Sequence, residues 1–260
     1  MANQQQHIVL VHGAGHGAWC WYKVKPMLEA AGHRVTALDL AASGIHPAKI
    51  EEVCTLGEYT EPLLYFLACL PPEERVVLVG HSLGGMNLAL AMETFPHKIA
   101  VAVFLTALMP DTEHRPSFVI EKFLERTPTE AWLDTKFFPY SSRLMHQIAI
   151  LFGPNYLANM YQLSPVKDIE LGKLLVRPSS FFLHDLCEAR NFTSEKYGSV
   201  KKVFIISEQD KAIPPDFQRW MIQNYHVHQV FNIEESDHMV MLSKLKELTN
   251  HLSQIAIDYA

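Results

Sequence analysis

The sequence predicts an α/β fold: an open, doubly wound, mostly parallel sheet with helices on both faces. Three observations carry this. Runs rich in Val, Leu and Ile recur along the chain, as expected of strands buried on both faces of a parallel sheet. Stretches of helical period separate them, so strand and helix alternate. With 260 residues, 48% apolar and 19% charged, the chain can bury a sizeable core without disulfides or metals. A single domain over 1–260 is the reading.

Taken in order, HIVLVHG at 7–13 is the first strand, with a helix pattern following at 19–31. HRVTALDL at 33–40 is the second strand, and a helix at 58–70 stops before Pro71 and Pro72. RVVLVGH at 75–81 and IAVAVFLTAL at 99–108 are strands, separated by a helix at 84–94 that ends before Pro96. Residues 110–190 then break the rhythm. They are rich in Phe, Leu, Met, Trp and Tyr, punctuated by prolines, and show helix patterns but no convincing strand. Directly after a strand, on the side where ligands meet such sheets, this insertion reads as a helical cap or lid over an apolar pocket. The sheet resumes with SVKKVFIISEQD at 199–210 and HQVFNIEES at 228–236, and an amphipathic helix at 242–258 closes it.

Composition excludes several function classes. The formal net charge is −6 and no Lys/Arg cluster stands out, which argues against nucleic-acid partners. Cys20, Cys54, Cys69 and Cys187 show no CxxC spacing and read as small core residues in a reducing compartment. The opening MANQQQHIVLVHG has no basic region, and its apolar run, Ile8 to Val11, is too short for a signal peptide or a membrane span. Lipidation patterns are absent as well. The expectation is a cytoplasmic protein without a membrane partner.

Chemistry concentrates at Gly80-His81-Ser82-Leu83-Gly84. This G-x-S-x-G stretch, after an apolar strand and before a helix, has the form of a nucleophile elbow. Such a turn strains the serine, needs glycines on both sides, and turns the N–H of the next residue, Leu83, toward an oxyanion. A serine hydroxyl is a weak nucleophile and needs a base. The order Ser, then acid, then His is met by Asp210, ending VFIISEQD, and His238, within SDHMVML. Asp210 would orient the imidazole while His238 takes the serine proton. Asp237 and Glu208 are rival acids, but Asp237 adjoins the histidine in sequence, a poor geometry for orienting it. The loop HGAGHGAW at 12–19 offers the second oxyanion donor, the Ala14 N–H.

That loop has other readings. Gly13-x-Gly15-x-x-Ala18 fits the dinucleotide pattern, with Asp39 as the ribose contact, yet leaves the elbow, Asp210 and His238 unexplained. His12 and His16 stand at metal-ligand spacing, but the glycines between them oppose a helix and HExxH is absent. His226 and His228 read as surface residues. No metal and no cofactor are expected.

Long runs carry a resemblance beyond these motifs: WYKVKPMLEAAGHRVTALDLAASG, GHSLGGMNLALAME, VRPSSFF, YGSVKKVFI and SDHMVML. Over nearly its whole length the chain resembles the plant methylesterase family of the α/β-hydrolase superfamily, a group that also holds α-hydroxynitrile lyases. The resemblance implies an α/β-hydrolase fold and, as substrate, the methyl ester of a small, largely apolar plant metabolite of hormone or alkaloid type. It further implies a homodimer and pocket walls from Leu108, Phe123, Trp132, Phe137, Phe181 and Phe182, with Met239 beside the base. The lyases carry threonine where Gly13 stands, lysine directly after the histidine, and G-E-S-C-G at the elbow. Gly13, Met239 and GHSLG therefore point to ester hydrolysis. A lyase and a receptor-like hydrolase are the alternatives.

Overall fold

The computed structural model describes residues 5–140 and 147–260. Its strands are β1 (His7–Val11), β2 (Arg34–Leu38), β3 (Val76–His81), β4 (Ile99–Leu105), β5 (Lys136–Pro139), β6 (Ile148–Leu151), β7 (Ser179–Ser180), β8 (Lys202–Ser207) and β9 (Gln229–Ile233). Its α-helices are α1 (Val24–Ala30), α2 (Leu56–Ala68), α3 (Gly84–Thr94), α4 (Phe118–Arg126), α5 (Pro154–Met160), α6 (Val166–Leu175), α7 (Leu183–Glu188), α8 (Pro215–Asn224), α9 (Val240–Ser243) and α10 (Leu245–Tyr259).

Six strands form a parallel sheet in the order β2-β1-β3-β4-β8-β9. Every residue of β1, β3, β4 and β8 is buried, which is why their sequences are continuous apolar runs. The edge strands β2 and β9 alternate or stay half-exposed. The chain runs outward from β1 to β2, then returns to the other side of β1 as β3. That reversal is a topological switch point, where loops at the carboxyl edge part and leave a crevice. The loops after β1, β3, β8 and β9 all emerge at this edge because the strands are parallel. These are the loops that carry Ala14, Ser82, Asp210 and His238.

Three expectations need correction. The helix expected at 19–31 is a 3-10 turn, Ala18–Trp21, followed by α1. Pro26 is the reason: it lacks a donor and fits only the first turn of an α-helix, so the helix begins shortly before it. The segment 110–190 also contains a sheet, β5-β6-β7, antiparallel throughout. Its strands have four, four and two residues, too short to show a period of two in sequence. Helices α4 to α7 also lie in this segment, as the sequence suggests. Cys20 and Cys54 are buried, whereas Cys69 is exposed and Cys187 half-buried, so only two of the four are core residues. No helix among the described residues is long and apolar enough to cross a membrane.

Candidate active site

Ser82 follows the last residue of β3 with φ 56°, the left-handed region that a residue with a side chain adopts only under strain. The neighbouring packing enforces it. A Cβ at Gly80 would stand 2.5 Å from Leu88 Cδ1, and one at Gly84 would stand 2.8 Å from the His12 carbonyl oxygen. Strand, helix and the loop after β1 therefore close only around glycines. The Ser82 carbonyl is held by the N–H groups of Gly85 (3.1 Å) and Leu108 (3.0 Å), which fixes the turn.

Asp210 follows β8 and is buried. Its Oδ2 accepts the His238 Nδ1–H at 2.7 Å and the hydroxyl proton of Thr106. Its Oδ1 accepts the N–H groups of Ala212 at 2.7 Å and Ile213 at 2.9 Å. Both carboxylate oxygens are thus occupied, so the side chain has one orientation. With Nδ1 donating to Asp210, the His238 Nε2 is the nitrogen free to face the cavity that His238 lines together with Ser82. Thr106 was invisible in the sequence as a site residue. Its φ of 38° at the end of β4 turns the hydroxyl to Asp210.

His81 is buried against His238, their ring centroids 4.6 Å apart. Its Nε2–H donates to the His238 carbonyl oxygen at 2.8 Å, tying the elbow to the histidine loop. Burial, the first cause, and the His238 charge both push its pKa well down, so the ring is neutral. Its Nδ1 has no partner among the described residues.

The loop after β1 brings Ala14 into the same cavity. Its direction is set from behind by His12, whose Nδ1–H donates to the Gly13 carbonyl at 2.8 Å while Nε2 accepts the Leu40 N–H at 3.1 Å. Burial lowers the His12 pKa and keeps this neutral tautomer. The backbone N–H groups of Ala14 and Leu83 have no acceptor among the described residues, and Leu83 stands at the N-terminus of α3. The geometry is compatible with both serving an oxyanion beside Ser82.

The cavity over Ser82 is narrow, about 30 Å³. The structure brings Gly13, Leu108, Phe123, Trp132 and Phe181 into its wall. Phe152, Tyr156, Met160, Ala212, Ile213 and His16 join them, a set the sequence reading missed. Three expected lining residues lie elsewhere. Phe137 is 45% exposed and Phe182 fully buried, and both face a second cavity of about 390 Å³ on the far side of Phe181. Met239, next to His238 in the chain, is fully buried and is not part of the wall; its N–H bonds to Asp237 Oδ1 at 3.0 Å.

The rival residues have other partners. Asp237 Oδ2 accepts the Leu163 N–H (2.9 Å) and the Ser164 hydroxyl (2.8 Å), so this acid anchors the segment above rather than the histidine ring. Glu208 pairs with Arg219. Asp39 accepts the N–H groups of Ala18 (2.6 Å) and Ile45 (3.2 Å), which spends it on loop structure instead of a ribose. His226 and His228 are exposed, as the sequence suggests.

Comparison with known proteins bears on the family and the fold. Residues 8–249 match the Alpha/beta hydrolase family. Methylesterase 1 of Arabidopsis thaliana is 56% identical over 255 residues, covering 97% of each chain. Alpha-hydroxynitrile lyase of Arabidopsis thaliana is 50% identical, covering 98% of this chain and 99% of its own. The crystal structure of polyneuridine aldehyde esterase superposes with a TM-score of 0.95 at 47% identity, covering 97% of this chain and all of that one. Fold, residue pattern and these relatives agree: the chain belongs to the plant methylesterase family of the alpha/beta hydrolases.

Proposed function

We propose that this carboxylic ester hydrolase cleaves the methyl ester of a small, largely apolar plant metabolite to the acid and methanol, through an acyl-enzyme on Ser82. The observation that carries the reading is the buried Asp210–His238 pair and strained Ser82 opening on one apolar cavity. Ser82 Oγ attacks the ester carbonyl as its proton passes to His238 Nε2. The Ala14 and Leu83 N–H groups bind the oxyanion, each such donor contributing ~2.7–4 kcal/mol in the transition state. The carbonyl–methoxy bond breaks and His238 returns the proton to the leaving methanol. Water, deprotonated by the same histidine, then releases the acid. Protein groups and water account for every proton in this cycle.

The aromatic wall of Phe123, Trp132, Phe152, Tyr156 and Phe181 favours a flat acyl group. The segment 110–190 supplies these side chains and so acts as the cap. As further parts of the reading, the enzyme is cytoplasmic and a homodimer.

The lyase relative makes cyanohydrin cleavage the competing reading. Against it stand Gly13 and Met239, which offer neither a hydroxyl for the substrate alcohol nor a cation for departing cyanide. A panel of methyl salicylate, methyl jasmonate, methyl indole-acetate and mandelonitrile tests both readings, with Ser82→Ala as control. Methanol release lost in Ser82→Ala is expected; cyanide release without ester turnover would sink the esterase reading.

A further inference from the structure

The segment that covers the cavity is joined to the loop after β1 by a short buried relay. Tyr161, at the end of α5, is fully buried, and its hydroxyl lies 2.7 Å from His16 Nε2. His16 Nδ1 lies 2.9 Å from the Ala14 carbonyl oxygen. The protons on this chain can be assigned. A carbonyl only accepts, so Nδ1 carries the ring proton and Nε2 accepts from the tyrosine. Burial pushes the His16 pKa down to about 3, so the ring stays neutral and keeps this tautomer.

We propose that Tyr161 and His16 are positioning residues of the oxyanion loop, the tyrosine hydroxyl orienting the imidazole that holds the Ala14 carbonyl and thereby aims the Ala14 N–H. Two peptide planes meet at the Ala14 Cα. The plane on one side contains the Gly13 carbonyl together with the Ala14 N–H, and His12 holds that carbonyl. The plane on the other side contains the Ala14 carbonyl, held by His16. With both planes fixed, the N–H has little freedom to swing away from Ser82. The next carbonyl, that of Gly15, accepts the Arg177 N–H at 2.9 Å, so the segment above grips the loop a second time. The site of the tyrosine is shaped for its hydroxyl. A Cβ at Gly172 of α6 would stand 2.9 Å from that oxygen, and the glycine leaves the room it needs. Stacking of His16 on Trp19, with centroids 5.3 Å apart, keeps the imidazole plane from rotating.

This inference rests on the serine esterase reading, and one set of variants separates the two. Hydrolysis of p-nitrophenyl acetate gives kcat and KM, and an alkyl boronic acid, which forms a tetrahedral adduct with a serine, reports on the oxyanion site. His16→Gln is expected to lower kcat by roughly 10- to 100-fold and Tyr161→Phe by about threefold, each weakening the boronic acid in parallel, with KM within about twofold. His16→Asn places an amide N–H where Nδ1–H was, and loses no more than about threefold in kcat. His16→Gln reaches the tyrosine instead and does not rescue. A purely structural histidine would make Asn and Gln equally damaging. Thermal melts run alongside identify any variant that fails to fold, and the Asn–Gln contrast stands without Tyr161→Phe. Equal losses for Asn and Gln, or unchanged kcat in both Tyr161→Phe and His16→Gln, overturn the inference alone. Turnover that persists in Ser82→Ala overturns the serine reading and this inference with it.

Discussion

Gly13 sits directly against Ser82: a Cβ added at Gly13 would stand 2.7 Å from Ser82 Cβ and 3.2 Å from His81 Nδ1. The absence of a side chain there is therefore a condition for the present elbow geometry, and more than a matter of which group touches substrate. Gly13→Ala is expected to shift the serine or the loop by tenths of an ångström and lower kcat for a methyl ester roughly 10- to 100-fold. Steady-state kinetics checks this. Wild-type kcat in Gly13→Ala would show that the loop can give way freely.

The four hydrogen bonds to Asp210 make graded predictions. Asp210→Asn keeps the shape but presents the wrong partner to His238 Nδ1, and kcat should drop by about 10⁴-fold. Thr106→Val removes only one donor to the same carboxylate. Its effect should be roughly tenfold or less in kcat, with KM unchanged. A Thr106→Val loss as deep as that of Asp210→Asn would mean that the threonine does more than hold the acid.

Phe181 separates the cavity over Ser82 from the second apolar cavity. Phe181→Ala should join the two and widen the acyl site. The ratio of kcat/KM for methyl indole-acetate over methyl salicylate is expected to rise about tenfold, the scale on which apolar pockets discriminate by size. An unchanged ratio would show that the acyl group does not approach this wall.

Buried neutral histidines set the acid limit of stability. Burial pushes His16 down to about 3 and His7 to about 4 from an ordinary 6.5, with the Arg34 charge adding to the His7 shift. Between these values and 6.5 the unfolded chain binds more protons than the folded one, so stability rises with pH there. The contribution is complete above about pH 6.5 and is lost progressively as pH falls toward 3. Urea denaturation should therefore show a lower midpoint at pH 5 than at pH 7, before most carboxylates protonate. Equal midpoints at the two pH values would contradict the assignment of neutral buried rings.

Much of this molecule was legible in its sequence because a parallel sheet buries its central strands on both faces. The runs that became β1, β3, β4 and β8 could hardly be anything else. Parallel strands also put all their carboxyl ends at one edge, so Ser82, Asp210 and His238, singled out by the elbow pattern and the order Ser, acid, His, fall on loops of that one edge. The segment 110–190 was harder. Strands as short as β7 are made by pairing rather than by local pattern. Which aromatics face the cavity depends on turns such as the left-handed φ of 51° at Phe182, which has no signature in a phenylalanine. Thr106 and the His16–Tyr161 bond were hidden for a related reason: each joins residues far apart in the chain, and only the folded backbone makes them neighbours.

The most direct test of the account is rapid-quench mass spectrometry of the enzyme during turnover of methyl salicylate or another methyl ester from the panel. The account predicts a transient species heavier by the acyl group, mapped to the peptide containing Ser82 and absent in Ser82→Ala. Steady turnover with no acylated peptide at any quench time, or with the acyl group on another residue, would contradict it.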